Sequence, residues 1–211
     1  MNISRTTLLT VAACVAAVLS TPINAQVGKG ISDLNQLPEA DLLKLSHMTP
    51  AIVKGLLDKR PFSSVVDLNT YVVGQGLTQA NANEIYATAF IHVNLNTGTR
   101  DEIMLIPGAG RRMTIEFPEY RPWKSWAQFD KEIGKYVGQP ATDKLKQYVF
   151  IPVNLNTATD EDILSIPGAG QRMVREFKEY RPWKSKEQFE KEIGKYVGAK
   201  ETARLWRFVV I

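Results

Sequence analysis

Val93-Asn94-Leu95-Asn96-Thr97, followed by Ile106-Pro107-Gly108-Ala109-Gly110, returns about 60 residues later as Val153-Asn154-Leu155-Asn156-Thr157 and Ile166-Pro167-Gly168-Ala169-Gly170. Tyr120-Arg121-Pro122-Trp123-Lys124-Ser125 and Glu132-Ile133-Gly134-Lys135-Tyr136-Val137-Gly138 recur at the same shift. About 36 of roughly 58 aligned positions are identical, so the structural unit is defined before any helix is assigned. A more diverged copy comes first. Leu34-Asn35 aligns with Leu95-Asn96, Leu42 and Leu45 with Ile103 and Ile106, Arg60-Pro61-Phe62-Ser63-Ser64 with Arg121-Pro122-Trp123-Lys124-Ser125, and Leu68 with Phe129. Its loop reads Ser46-His47-Met48-Thr49-Pro50, without glycine. The expected organisation is a leader over residues 1–25, a degenerate unit over 26–92, and two clear units over 93–152 and 153–211.

Within a unit the pattern is helical. Thr99 before Glu102, and Thr159 before Asp162, have the form of N-caps with an acidic third position. The first helix runs about two turns, to Leu105 or Ser165, and the Pro-Gly-Ala-Gly loop breaks it. Arg111 starts a second helix, in which Met113, Phe117 and Tyr120 recur at core-facing spacing. Pro122 ends that helix near Tyr120 or Arg121. Ser125 with Gln128, and Ser185 with Gln188, cap a third helix expected to stop near Gly134 and Gly194, with Thr142 and Thr202 in a fourth. Tyr148 to Leu155 is β-branched and aromatic, and is read as an extended connector. The fold class is all-α, built from tandem units of short helices.

Composition narrows the function. Arg5 precedes an apolar run from Leu8 to Leu19, and Ile23-Asn24-Ala25 fits a signal-peptidase site, so export to the periplasm or beyond is expected, with cleavage after Ala25. The run is short for a membrane span, and no later stretch replaces it, so no span is expected in the mature chain. A lipoprotein site at Cys14 is the rival reading, weakened because the apolar run continues through Val18-Leu19. Cys14 is the only cysteine, so the remainder has no disulfide and must hold together by packing. Charge is mild throughout. Residues 26–92 carry 5 Lys/Arg against 6 Asp/Glu, residues 93–152 carry 9 against 7, and residues 153–211 carry 11 against 9. Binding to a polyanion would therefore rest on local placement of cations rather than bulk charge.

The Gly-x-Gly loops are the best lead. Glycine permits positive φ and leaves backbone uncovered, and the following helix points free N–H groups and its positive dipole end outward. A phosphate can sit there, with Arg111, Arg112 and Arg172 adding charge-assisted bonds. The unreceptive alternative is a tight interhelical turn with no ligand, with Arg112 and Arg172 merely paired to Glu116 and Glu176 one helical turn on.

Val-Asn-Leu-Asn-Thr-x-Thr, the Ile-Pro-Gly-x-Gly hairpin, Tyr-Arg and aromatic-Lys-Ser together resemble the helix-hairpin-helix domain of ComEA-type competence proteins, over nearly all of 93–211 and more loosely over 31–90. Those bacterial proteins are exported or membrane-anchored and bind incoming double-stranded DNA. The resemblance implies that amides at Gly108, Ala109, Gly110 and at Gly168, Ala169, Gly170 face phosphates, flanked by Arg111, Arg112, Gln171 and Arg172. Such contacts read backbone rather than bases. The same fold resembles a small extrinsic subunit of photosystem II that binds protein, so a protein-interaction or assembly module is the alternative. The chain departs from the family pattern in four places. Ala109 and Ala169 replace a larger aliphatic residue. Thr114 and Val174 replace alanine. Tyr136-Val137-Gly138 and Tyr196-Val197-Gly198 have lost the first glycine of the second hairpin. The first unit, without glycine at Ser46 to Pro50, is expected to have lost the hairpin altogether.

Trp123, Trp183 and Phe62 share one repeat position and are expected in the core. Trp126 and Trp206 have no counterparts and are expected at the surface, Trp126 as a possible partner contact. Lys124, Lys131, Lys135 and Lys184, Lys191, Lys195 form a solvated basic face that could line a DNA path. His47 and His92 lack repeat counterparts, and the acid pairs Asp101-Glu102 and Glu161-Asp162 sit in first helical turns. No metal, cofactor or enzymatic activity is expected.

Overall fold

The computed structural model describes residues 27–211; the expected leader over 1–25 and Cys14 lie outside them. The protein is predominantly helical. One element order is followed three times. The first round is β1 (Ser32–Asp33), α1 (Glu39–Leu42), α2 (Pro50–Lys59), α3 (Val65–Gly74), α4 (Gln79–Tyr86) and β2 (Ala89–Phe90). The second is β3 (Val93–Asn94), α5 (Arg100–Met104), α6 (Gly110–Glu119), α7 (Trp126–Val137), α8 (Gln139–Lys146) and β4 (Val149–Phe150). The third is β5 (Val153–Asn154), α9 (Asp160–Ser165), α10 (Gln171–Glu179), α11 (Lys186–Trp206) and β6 (Val209–Val210), with α11 bent at Gly198.

The stretch from Tyr148 to Leu155 differs from the expected connector. It holds β4 and β5, and each is half of a two-stranded parallel pair. Ser32 sits opposite Ala89, Val93 opposite Val149 and Val153 opposite Val209. These short ladders satisfy buried backbone groups where one round of helices hands over to the next. Each begins and ends a round at the same place, so the helices between them form a closed loop.

A side chain reinforces every closure. Asn96 Nδ2 donates to the Trp123 carbonyl at 3.0 Å, and the Trp123 amide donates to Asn96 Oδ1 at 2.6 Å. Asn156 does the same with Trp183, and Asn35 with Phe62, each across 27 residues. The amide side chain thus acts as one more strand residue. Arg121 adds a bond from Nε to the Leu95 carbonyl at 2.7 Å, and Arg181 one to Leu155 at 2.6 Å. The bonds at Arg60-Pro61, Arg121-Pro122 and Arg181-Pro182 are all cis.

The core is aromatic and aliphatic, and Trp123, Trp183 and Phe62 are buried as expected. Trp126 and Trp206 are half-buried rather than surface residues. Trp126 lies edge-on to Phe129 at 5.8 Å, and Trp206 lies 5.2 Å from Phe189. Phe129 and Phe189 are repeat equivalents. The second round covers its phenylalanine from the start of α7 and has Lys146 at the far position; the third has Lys186 at the start of α11 and covers from its end with Trp206. Either route sets a tryptophan against the repeat-equivalent phenylalanine.

The third helix of the second round does not stop at Gly134 but continues to Val137. Gly134 faces α8, where a Cβ would stand 3.8 Å from Thr142 Oγ1, and Gly194 faces Thr202 in the same way. These glycines thus face a packed neighbouring helix segment and do not terminate their own.

Replacing Asn96 with alanine leaves the Trp123 N–H and C=O without partners. We expect a loss of about 2 kcal/mol or more of unfolding free energy, read from the urea midpoint at unchanged slope. An unaltered midpoint would remove the asparagine bridge from the account of stability.

Candidate functional site

Each round places a loop between its first two helices. Gly108 has φ 83° and Gly168 φ 77°. In the first round the aligned residue is His47, and it adopts φ 63°. The loop conformation therefore survives the loss of glycine there, with a residue for which left-handed backbone is costly. The first-round loop is retained in shape, contrary to the sequence expectation that it was lost.

The difference lies in how the next helix begins. In α2, Thr49 Oγ1 accepts from the Ile52 amide at 3.3 Å, and Pro50 supplies no N–H. That start satisfies itself. Among the described residues, α6 and α10 have no side-chain cap. The amides of Gly110, Arg111 and Arg112, and of Gln171, Arg172 and Met173, have no backbone acceptor among the described residues. The contrast repeats at the next loop. α4 starts with a complete capping box at Thr78, whereas α8 starts at Gly138, with φ 75° and no side-chain cap among the described residues. Gly198 takes φ 77° at the bend in α11. The second loops thus keep their turn despite having one glycine, a feature the sequence reading had discounted.

The ten expected site residues fall into two groups. Gly108, Gly110, Arg111 and Arg112 are exposed, as are Gly168, Gly170, Gln171 and Arg172. Ala109 is buried and Ala169 half-buried, and their amides are occupied by the Ile106 and Ile166 carbonyls at 3.1 and 2.9 Å. These two alanines anchor the turn in the core, as the larger family residue would, and their N–H groups are already engaged. The available amides lie one to three residues beyond Ala109 and two to four beyond Ala169.

The tyrosines that stand in place of glycine at the second loop make contacts of their own. Arg112 lies over the Tyr136 ring at 4.1 Å, and Arg172 over Tyr196 at 4.7 Å. The Tyr120 and Tyr136 hydroxyls are 2.7 Å apart, those of Tyr180 and Tyr196 2.9 Å. Lys135 stands 4.6 Å from the Tyr120 ring and pairs with Glu132 at 2.6 Å. The bond to Tyr120, then burial and the Glu116 carboxylate, push the Tyr136 hydroxyl up to about 12, so it stays protonated. Tyr136 and Tyr196 therefore tie the second loop to the start of α6 and α10 and hold each arginine beside the open amides. Glu116 accepts from Arg112 Nε at 3.4 Å, as the pairing reading expected. No such bond joins Arg172 and Glu176 among the described residues, and Glu176 Oε2 is buried without a partner.

Neither histidine gathers a metal set. His47 meets Glu84 at 2.8 Å at the surface, and His92 is buried with Nδ1 3.8 Å from Asp33 Oδ2. Among the described residues no group of three or more His, Cys, Asp or Glu could hold a metal, and no helix is long and apolar enough to cross a membrane. No protein-family model, curated protein or solved structure matches the chain.

Two glycines separate conformation from contact. Nothing lies within 4 Å of a Cβ added at Gly108, so Gly108→Ala tests φ alone; a loss of about 1–2 kcal/mol is expected. Gly134→Ala, in helical backbone with ordinary contact to Thr142, should gain about 0.5–1 kcal/mol. Thermal melts of the two variants moving in the same direction would contradict the loop assignment.

Proposed function

We propose that the chain is an exported, non-enzymatic helix-hairpin-helix protein that binds double-stranded DNA without sequence preference, gripping phosphates with open helix-start amides and flanking arginines. One observation carries this reading. The first round closes its helix starts with Thr49, Pro50 and Thr78, while the second and third leave α6 and α10 uncapped, among the described residues, and set an arginine on a tyrosine beside each. Unpaired amides and a dipole end attract anions. The leader composition of residues 1–25 supports export, and the ComEA-type resemblance supports the DNA assignment. The first round would then serve as support rather than as a third site.

A protein-assembly role is the second reading. It is favoured by Glu116, which partly neutralises Arg112, and by the contact that Gly168 already makes with another part of the chain.

Anisotropy titrations of a labelled duplex separate the two. With roughly 3–4 phosphates engaged, log affinity should fall against log salt with a slope of about −3, equally for unrelated sequences. The double variant Arg112→Glu, Arg172→Glu should abolish binding. Undiminished binding by that variant, or no salt dependence, would exclude the loop mechanism.

A further inference from the structure

Two nearly identical loops have different surroundings. A Cβ added at Gly108 or Gly110 would meet nothing within 4 Å. A Cβ on Gly168 would collide with Gln36 Oε1 and lie 3.0 Å from Arg204 Nη2. Gln36 belongs to the first round, three residues after the end of β1. Its Nε2 donates to Glu201 Oε2 at 3.3 Å, and Glu201 takes Arg204 Nε and Nη2 at 2.8 and 2.6 Å. Arg204 is 1% exposed, so this carboxylate is held in place from beneath.

The residues that form this cover are ones at which the copies differ. Where the third round has Glu201 and Arg204, the second has Ala141 and Lys144; where the first has Gln36, the others have Thr97 and Thr157. The approach of the first round is fixed at further points. The Val27 amide donates to Ser165 Oγ at 3.3 Å, two residues before Pro167, and the second round has Leu105 in place of Ser165. The Gln36 amide donates to the Asp33 carbonyl at 2.9 Å, which sets the turn that aims its side chain. Asp33 is itself buried beside His92, whose carbonyl accepts from Arg207 Nη2 at 3.2 Å. The second glycines also part company, with Gly110 at φ 62° and Gly170 at φ −114°.

We infer that the two loops are inequivalent: Gln36, anchored by Glu201 and Arg204, packs against the turn at Gly168 as an intramolecular cap on one side of an otherwise exposed loop, and the loop at Gly108 to Arg112 is the unobstructed anion-binding site. This rests on the DNA reading for the identity of the ligand but not for the existence of the cap. The cap brings the Gln36 side-chain amide against Gly168, just before the open amides at Gln171 to Met173. Its source is the chain's own first round. The arrangement leaves a single unobstructed loop in a protein that carries two.

The test uses the full chain and four proteins: wild type, Arg112→Glu, Arg172→Glu, and the double variant Gln36→Ala, Glu201→Ala. Hydrogen exchange without any ligand reads the cap directly. Amides of 168–172 should exchange more slowly than those of 108–112, and the double cap variant should abolish the difference. Equal exchange of the two loops in wild type overturns the inference whatever the ligand. Anisotropy with a duplex then reads the site. Arg112→Glu should weaken binding about tenfold or more and Arg172→Glu by less than about threefold, and removing the cap should steepen the salt slope by about 1. Equal losses in the two arginine variants would overturn the inequivalence and leave the DNA reading standing. No duplex binding by wild type, with the exchange difference intact, would sink the DNA reading and leave the cap.

Discussion

Each round of helices depends on the asparagine that reaches across 27 residues to pair with backbone at Phe62, Trp123 or Trp183. The helices are short, and helices of one to three turns have little stability of their own. What holds them is closure. A two-residue parallel ladder ties the start of a round to its end, and the asparagine ties the start to its middle. The large ring that follows the second helix is thereby pinned in the core, with the Trp123 indole N–H donating to the Phe117 carbonyl at 2.8 Å. With both flanks fixed, the loop between the first and second helices is presented outward at one set angle.

Much of this was legible in the sequence because it is local or periodic. Repetition marked the rounds, the Thr99–Glu102 and Thr159–Asp162 caps form as read, and the shared aromatic position is core. What escaped was long-range and polar. Asn96 and Arg121 stood out as motif residues, yet nothing in their spacing says that they bond to backbone 26 or 27 residues away. Strands of two residues carry no alternation to detect. Gly134 looked like a stop because glycine usually ends helices; its role as a close-approach point depends on Thr142 in the next helix. The exchange of Trp126 and Lys146 for Lys186 and Trp206 was only half visible: Trp126 is one helical turn from Phe129, but Trp206 reaches Phe189 from beyond the bend at Gly198.

The candidate site divides along the same line. Gly108, Gly110 and the arginines after them are exposed where the motif placed them, because loop exposure follows from local chain reversal. The middle alanines are not available, because closing the turn consumes their amides. The tyrosines at the second loop, first noticed as losses of glycine, supply a surface for Arg112 and Arg172 that glycine could not.

Copies about 60% identical in sequence need not share a role, since a loop's availability is decided by what packs on it. Glu201, Arg204 and Ser165 scarcely alter the third round's own fold, because their second-round counterparts Ala141, Lys144 and Leu105 support the same helices. Their effect is on the neighbour: together they receive Gln36 and Val27 from the first round. The first round in turn has no need of an external anion, since Thr49 and Thr78 already satisfy its helix starts. Divergence therefore follows a physical division. The asparagine and the arginine at the closure, Asn35, Asn96 and Asn156 with Arg60, Arg121 and Arg181, are the same in all three rounds, while residues that meet another round differ.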